Sequence, residues 1–298
     1  MRPRIFTSNG PACDKLWEYL IFLHSQILNE MKKYPIVLAI SGTDPSGGAG
    51  QQADIKAISA TGGYAACAIT AVVVQNTLGV TDILPVPEKI IAEQIDAVFE
   101  DIGADAVKIG MLNSSDVIRT VRDRLKHYKA GNIVLDPVMV ATSGDRLIEE
   151  SAVKSLMEDL VPMARVITPN IPEAEILSGQ KINSQEDLPA VAKALSCGGR
   201  VSVMMKAGHL SDETLVDIFY NAEEDRYIEL KSRRVHTPNT HGTGCTLSSA
   251  LASYLAQGMA LDDAARAAKD YIAKAIESGS EYQIGHGHGP VDHFWNRK

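Results

Sequence analysis

From residue 35 onward the chain alternates short runs of β-branched and aliphatic residues with longer stretches whose apolar positions recur every three or four residues. The short runs Ile36–Ile40, Ala68–Val74, Ala106–Ile109, Ile133–Asp136, Arg165–Thr168 and Val201–Met205 predict strands. The stretches Gln52–Ala60, Glu88–Glu100, Ser114–His127, Glu150–Leu160 and Glu186–Ser196 predict the helices between them. Strand, helix, strand throughout demands crossover connections, which place helices on both faces of a mostly parallel central sheet. The fold class is therefore a doubly wound α/β layer. Two later runs, Leu215–Tyr220 and Tyr227–Leu230, flank the polar turn Asn221–Asp225 and predict a hairpin on one edge. Helices over Gly244–Gln257 and Asp262–Ser278 complete the pattern. No repeat, low-complexity linker or change of composition divides residues 35–298, which read as one domain.

Residues 1–34 follow a different pattern. Arg2 and Arg4 precede an apolar segment, but Asp14, Lys15, Glu18, His24 and Gln26 interrupt it and no small-residue cleavage site follows. It does not read as a secretory signal. Leu16, Leu20, Leu23, Ile27 and Met31 step by four and three, the spacing of an amphipathic helix able to dock on this protein or a partner. The alternative is that Met31 is the true start and the preceding residues an extension of the reading frame.

Composition narrows the function classes. With 298 residues, 45% of them hydrophobic, the chain can build a full core. A net charge of −8 argues against nucleic acid or an anionic membrane as partner, although a local phosphate site needs only a few donors. Cys13, Cys67, Cys197 and Cys245 form no Cys-x-x-Cys pair and show no metal-ligand spacing, which fits a reducing cytoplasm. No apolar stretch reaches the roughly 20 residues of a membrane span.

In such a sheet ligands bind beyond the carboxyl ends of the strands, so the residues there carry the candidate chemistry. The most informative of them lie in Asn239-Thr240-His241-Gly242-Thr243-Gly244-Cys245-Thr246, a glycine-rich turn feeding straight into a helix. Free N–H groups at a helix N-terminus, aligned with the positive end of its dipole, form an anion site, and phosphate is the anion they fit. Gly242 and Gly244 remove the Cβ atoms that would hold a phosphate off the backbone, and Thr243 and Cys245 lie within reach. The first strand runs into Ser41-Gly42-Thr43-Asp44-Pro45-Ser46-Gly47-Gly48-Ala49-Gly50, whose glycine spacing matches neither the dinucleotide fingerprint nor the P-loop. Gln75-Asn76-Thr77 follow the second strand, and a polar Gln75 among small apolar residues resembles a slot for a flat heteroaromatic ring. Later strand ends carry Met111, then Asp136-Pro137-Val138-Met139, then Asn170 with Glu173, then Lys206. Singly, Met111 and Val138 read as core, Asn170 as a helix cap before Pro172, and Lys206 as a solvated charge. Together they outline a site in which Glu173 with Asn170 holds Mg²⁺ through water and Lys206 meets a nucleotide polyphosphate.

These segments, in order from about Tyr34 to Gly289-Pro290-Val291-Asp292-His293-Phe294-Trp295, resemble the hydroxymethylpyrimidine and hydroxymethylpyrimidine-phosphate kinases of thiamine biosynthesis. The resemblance implies a ribokinase-like fold, usually homodimeric, that uses ATP and Mg²⁺. It implies phosphorylation of 4-amino-5-hydroxymethyl-2-methylpyrimidine and then of its monophosphate to the diphosphate. Carried over residue by residue, it sets the pyrimidine against Gly42, Ala49, Val73, Met111 and Val138, with the Gln75 side chain on its edge and Cys245 facing the hydroxymethyl group. Many ribokinase-like enzymes carry Asp at the place of Cys245. A thiol at a helix N-terminus can be lowered toward neutrality, so a thiolate base is feasible. Phosphoryl transfer nevertheless relies mainly on positioning and charge neutralisation, so the Gly242–Cys245 amides, Lys206 and Mg²⁺ are expected to contribute more.

Pyridoxal kinase is the nearest rival, because a pyridine carrying a hydroxymethyl group presents a similar shape. Some cysteine-containing pyridoxal kinases place a second cysteine where this chain has Ala141, which favours the pyrimidine enzyme without excluding dual activity. A non-catalytic sensing module would be expected to lose the anion turn, Cys245 or Lys206, and a Rossmann oxidoreductase lacks its fingerprint here. Ala141–Asp145 is expected to act as a lid hinged at Gly144. His286, His288 and His293 invite a metal, but without an adjoining cysteine or carboxylate cluster the segment Gly285–Pro290 reads as a turn.

Overall fold

Side chains alternate between two cores along the first strand: Leu38 and Ile40 pack into one, Val37 and Ala39 into the other. This is the period of two expected of a strand buried on both faces. The computed structural model describes residues 33–139, 147–210 and 212–297. The chain divides into two units, Met1–Tyr34 and Pro35–Lys298. The expected amphipathic helix of the first unit and the expected lid at Ala141–Asp145 both lie outside the described residues.

Within the second unit the elements run β1 (Ile36–Ser41), α1 (Gly50–Ala60), β2 (Tyr64–Ile69), β3 (Ala71–Asn76), β4 (Gly79–Pro85), α2 (Glu88–Asp101), β5 (Ala106–Ile109), α3 (Ser115–His127) and β6 (Ile133–Leu135). They continue α4 (Glu150–Ser155), β7 (Val166–Ile167), α5 (Ile171–Ser178), α6 (Leu188–Leu195), β8 (Ser202–Met205), β9 (Thr214–Asn221), β10 (Arg226–Arg233), α7 (Thr243–Ala256) and α8 (Leu261–Gly279). Eight strands form one sheet in the order β10-β9-β8-β7-β6-β5-β1-β2. Pairing is parallel from β2 through β8, and β9 and β10 close one edge as the expected antiparallel hairpin. One core packs α2, α3, α5 and α6 against the sheet; the other packs α1, α7 and α8 on the opposite face.

Two elements depart from the sequence reading. The run Ala68–Val74 is not one strand: the chain breaks at Thr70, and β3 leaves the sheet to pair with β4 as a separate antiparallel ribbon. Thr70 is buried and its hydroxyl donates to the Met111 carbonyl at 2.8 Å, which fixes the corner. An unbroken apolar run carries no mark of where its hydrogen-bond partner changes. The second is α5, absent from the helices predicted by periodicity and marked in the sequence only by its cap, a short helix with Pro172 in its first turn. Asn170 Oδ1 accepts the Glu173 N–H at 2.9 Å and Glu173 Oε2 accepts the Asn170 N–H at 2.8 Å, a reciprocal cap. The cap reading of Asn170 is thus realised.

Candidate active site

The chain runs from β1 to β2 on one side and then returns to place β5 on the other side of β1. A crevice beyond the carboxyl ends of the strands opens at such a reversal. One cavity occupies it, lined by Gly42 and Ala49 after β1, Met111 after β5, Asp136 and Val138 after β6, Asn170 and Glu173 after β7, and Lys206 after β8. Val73 and Gln75 of the ribbon and the turn Gly242, Thr243, Gly244 and Cys245 complete the wall. The residues that the resemblance sets around pyrimidine, phosphate, ATP and Mg²⁺ therefore all line one cavity. Gln75 reaches it from the ribbon rather than from the end of a sheet strand.

The turn into α7 is sterically compulsory. Gly242 has φ +78°, and a Cβ there would overlap the Gly48 carbonyl. α7 begins at Thr243; the Thr243 N–H donates to the Thr240 carbonyl at 3.3 Å and the Thr246 N–H to the Gly242 carbonyl at 2.9 Å, which leaves Gly244 and Cys245, both lining the cavity, as the first-turn amides without an intrahelical acceptor. Asp44 ties this turn to the glycine-rich loop. Its carboxylate accepts the N–H groups of Ser46, Gly48 and Ala49 at 2.9, 3.0 and 2.7 Å, and lies 2.7 Å from His241 Nε2. Burial works to raise the Asp44 carboxyl, but the bonds from His241, Ser46 and Ala49 hold it below its ordinary range.

Three charged groups gather opposite the turn. Lys206 Nζ lies 3.0 Å from Asp136 Oδ1 and 3.9 Å from Glu173 Oε2. Thr168 Oγ1 donates to Asp136 at 2.9 Å. Burial would raise Asp136, yet Lys206 and Lys108 together hold it below the usual carboxylate range. Glu173 goes the other way: burial pushes it up to about 7, with Lys206 opposing and Asp136 adding. A second ion pair lies beneath the turn. Lys108 and Asp54 are 2.7 Å apart with fully buried side chains, and Asp54 also accepts the hydroxyls of Ser41 and Ser249 at 2.7 Å each.

At Cys245 burial works against the lowering that a helix N-terminus favours. Burial pushes its thiol up to about 11; Lys108 and the Gly50 N–H pull it down, while Asp54 and Asp136 push it further up. Desolvation is the largest of these influences and favours the neutral thiol.

Several pairings around the cavity are not given by the sequence motifs, although the residues themselves stand in them. Asp136 was legible as an acid at the end of a strand-like run, the position where ligands meet such sheets. Lys108 was legible as a lysine inside a strand buried on both faces, which needs a buried partner. The pairing of Asp44 with His241 joins two distant motifs, and nothing local announces it. Among the described residues no group of three or more histidines, cysteines or carboxylates gathers as a metal cage. His293 is buried against the Thr246 hydroxyl at 3.0 Å, and His286 and His288 sit in the loop over Thr77. Among the described residues no helix is long and apolar enough to cross a membrane.

The sequence profile of the family described as phosphomethylpyrimidine kinase matches residues 44–292. The hydroxymethylpyrimidine/phosphomethylpyrimidine kinase of Rhizobium meliloti (strain 1021) is 45% identical over 260 residues, covering 87% of this chain and 97% of that protein. The phosphomethylpyrimidine kinase structure of Clostridium difficile 630 is 43% identical with a TM-score of 0.71, covering 82% of this chain and all of that one. The ADP complex of Bacillus subtilis pyridoxal kinase has a TM-score of 0.82 at 34% identity, covering 89% of this chain and 99% of that one. Backbone shape thus accommodates both kinds of kinase, whereas the identities are higher to the pyrimidine kinases. The fold is ribokinase-like, and the chain belongs to the phosphomethylpyrimidine kinase family of phosphotransferases.

Proposed function

We propose that the cavity phosphorylates 4-amino-5-hydroxymethyl-2-methylpyrimidine and then its monophosphate, with ATP as donor, in thiamine biosynthesis. The observation that supports this most is convergence: an amide turn shaped for phosphate, a partly buried lysine and a ribbon carrying one amide side chain line the same cavity. In this reading the pyrimidine lies between Gly42, Ala49, Val73, Met111 and Val138, and the Gln75 amide reads its ring edge. The Gly242, Thr243, Gly244 and Cys245 amides surround the travelling phosphoryl group, and Cys245 faces the hydroxymethyl carbon. Lys206 meets the polyphosphate. Asn170 has committed its Oδ1 to capping α5, so its contribution to ATP binding is its amide nitrogen.

Mg²⁺ fits the donors present. Asp136 and Glu173 offer hard oxygens, and Lys206 alone cannot neutralise two carboxylates together with a triphosphate. The ion would be held by Glu173 through water, with Asp136 beside it, and would neutralise phosphate charge. The reaction takes place in the cytoplasm, where ATP is supplied. The outer face of the ribbon supports a homodimer: Val72, Val74 and Leu84 are 46%, 52% and 68% exposed and share one side. Sedimentation of Val74→Lys tests that arrangement, and an unchanged oligomeric state would reject it.

The pyridoxal kinase reading is kept because such a structure overlays with the higher TM-score. A comparative assay with the pyrimidine, its monophosphate and pyridoxal as acceptors separates the two. The pyrimidine reading expects its own acceptors to show the higher kcat/KM; faster pyridoxal turnover would overturn it.

A further inference from the structure

The loop 284–290 takes no part in the chemistry above, yet it touches both sides of the cavity. At one end it lies over the tip of the β3–β4 ribbon. The N–H groups of His286 and Gly287 donate to Thr77 Oγ1 at 3.2 Å each, and the His288 N–H donates to the Thr77 carbonyl at 2.8 Å. There is no room for side chains in this crossing: a Cβ on Gly285 would overlap the Thr77 hydroxyl, and one on Gly287 the Thr77 carbonyl. At its other end the Gly289 carbonyl accepts the His241 N–H at 3.0 Å, immediately before the amide turn. Asn239 Nδ2 anchors the root of the loop by donating to the carbonyls of Gly279 and Tyr282 at 2.8 and 2.7 Å.

A two-stranded ribbon is marginally stable by itself. This one also carries a register shift between Val74 and Gln75, so the segment that presents Gln75 is locally irregular. Thr43 holds the near end of the ribbon, accepting the Val73 N–H and donating its own N–H to the Ala71 carbonyl at 3.0 Å each, and Thr77, two residues beyond Gln75, ties down the far end. We infer that the loop is a strap that sets the distance between the Gln75 side of the cavity and the amide turn, and that Thr77 is the positioning residue through which it acts. This rests on the functional reading above. Gln75 and the strap lie on the acceptor side, away from Lys206 and Glu173, so loosening the strap weakens acceptor binding and leaves ATP binding intact.

Steady-state kinetics of the full chain test the inference with Thr77→Val, which keeps the side-chain shape and removes the acceptor oxygen. The acceptor KM should rise roughly five- to thirtyfold, the size of one or two lost hydrogen bonds, with the ATP KM and the unfolding temperature close to wild type. Thr77→Ser should restore the acceptor KM, and Gly287→Ala should repeat the defect from the opposite partner. A wild-type acceptor KM in Thr77→Val, an equal rise in both KM values, or no rescue by serine would each overturn the strap. The ratio is read with whichever acceptor the wild-type enzyme phosphorylates. Wild-type turnover of pyridoxal alone therefore rejects the pyrimidine reading, while the variant still decides on the strap.

Discussion

Around Gly242 the backbone is closed in from every side, whereas around Gln75 two strands stand apart from the sheet. The amide turn sits on α7, whose residues from Thr246 to Ser253 are buried, and Asp44 and His241 lock it to the glycine-rich loop. The ribbon has one face on a small cluster of Ala71, Val73, Met111 and Leu147 and leaves its other face exposed. The phosphate side is thus made from backbone geometry that tolerates no side chain at Gly242, and the acceptor side from replaceable side chains on an adjustable support. A family built this way can change acceptors while keeping its phosphoryl chemistry, which fits the shared backbone of pyrimidine and pyridoxal kinases.

The strongest break in this comparison is Gly242→Ala. Its Cβ would overlap the Gly48 carbonyl and force a positive φ on a non-glycine residue, so the turn must move. Misplaced donors at a site of developing charge cost on the order of 10²–10³ in kcat, and the loss should be the same for every acceptor. An acceptor-dependent loss would show that the turn also reads the substrate. Gln75→Leu should do the reverse. Removing one amide from a half-buried slot should raise the pyrimidine KM by roughly 5- to 100-fold while the ATP KM stays fixed, because the ring edge loses its partner. A fall in kcat without a change in the acceptor KM would place Gln75 outside the binding slot.

The two regions were also unequally legible in the sequence. Backbone-built features announce themselves locally: Gly242, Gly244 and the four glycines after β1 marked close approach, and the alternating runs marked the parallel sheet. The ribbon did not. Ala68–Val74 reads as one strand because apolar patterning records burial and not partner, and the buried Thr70 at the break differs little in character from its β-branched neighbours. Charge pairing was hidden for a related reason. Asp44 meets His241, and Asp54 meets Lys108, only after the chain has folded. At Cys245 the helix terminus is visible in sequence, whereas the burial that pushes the thiol up is not.

Glu173 sharpens the picture of the charged wall. Its carboxyl is raised by burial from an ordinary 4.5 to about 7. Between those values the unfolded chain has lost the proton that the folded chain retains, so stability is greatest below 4.5 and declines as pH rises through about 7. Glu173→Gln keeps the reciprocal cap, since Gln serves at that position, and should flatten this slope in thermal unfolding. It should also remove a limb near 7 in the pH dependence of kcat/KM for ATP. The expected loss is about tenfold on the alkaline side and little on the acid side, where the wild-type group is already neutral. An unchanged limb in the variant would assign that titration to another group.

Cys245 lies where the two regions meet, and its smallest change discriminates most finely between them. A proton acceptor must be ionised before it can act, and a thiol pushed up to about 11 is almost wholly neutral at physiological pH. If a thiolate carried the reaction, kcat would climb about tenfold per pH unit toward that value, and removing it would cost ~10²–10⁴. The amide turn, Lys206 and the charge beside Asp136 need no such ionisation. Cys245→Ser keeps the size of the group and the backbone donors, so its kcat should stay within about threefold of wild type, with no alkaline rise in either protein. Slow alkylation of Cys245 that accelerates only toward about 11 would show the neutral thiol directly. A loss of ~10² or more joined to an alkaline rise in the wild type would instead make the thiolate the base and shift the weight of catalysis from the amide turn to Cys245.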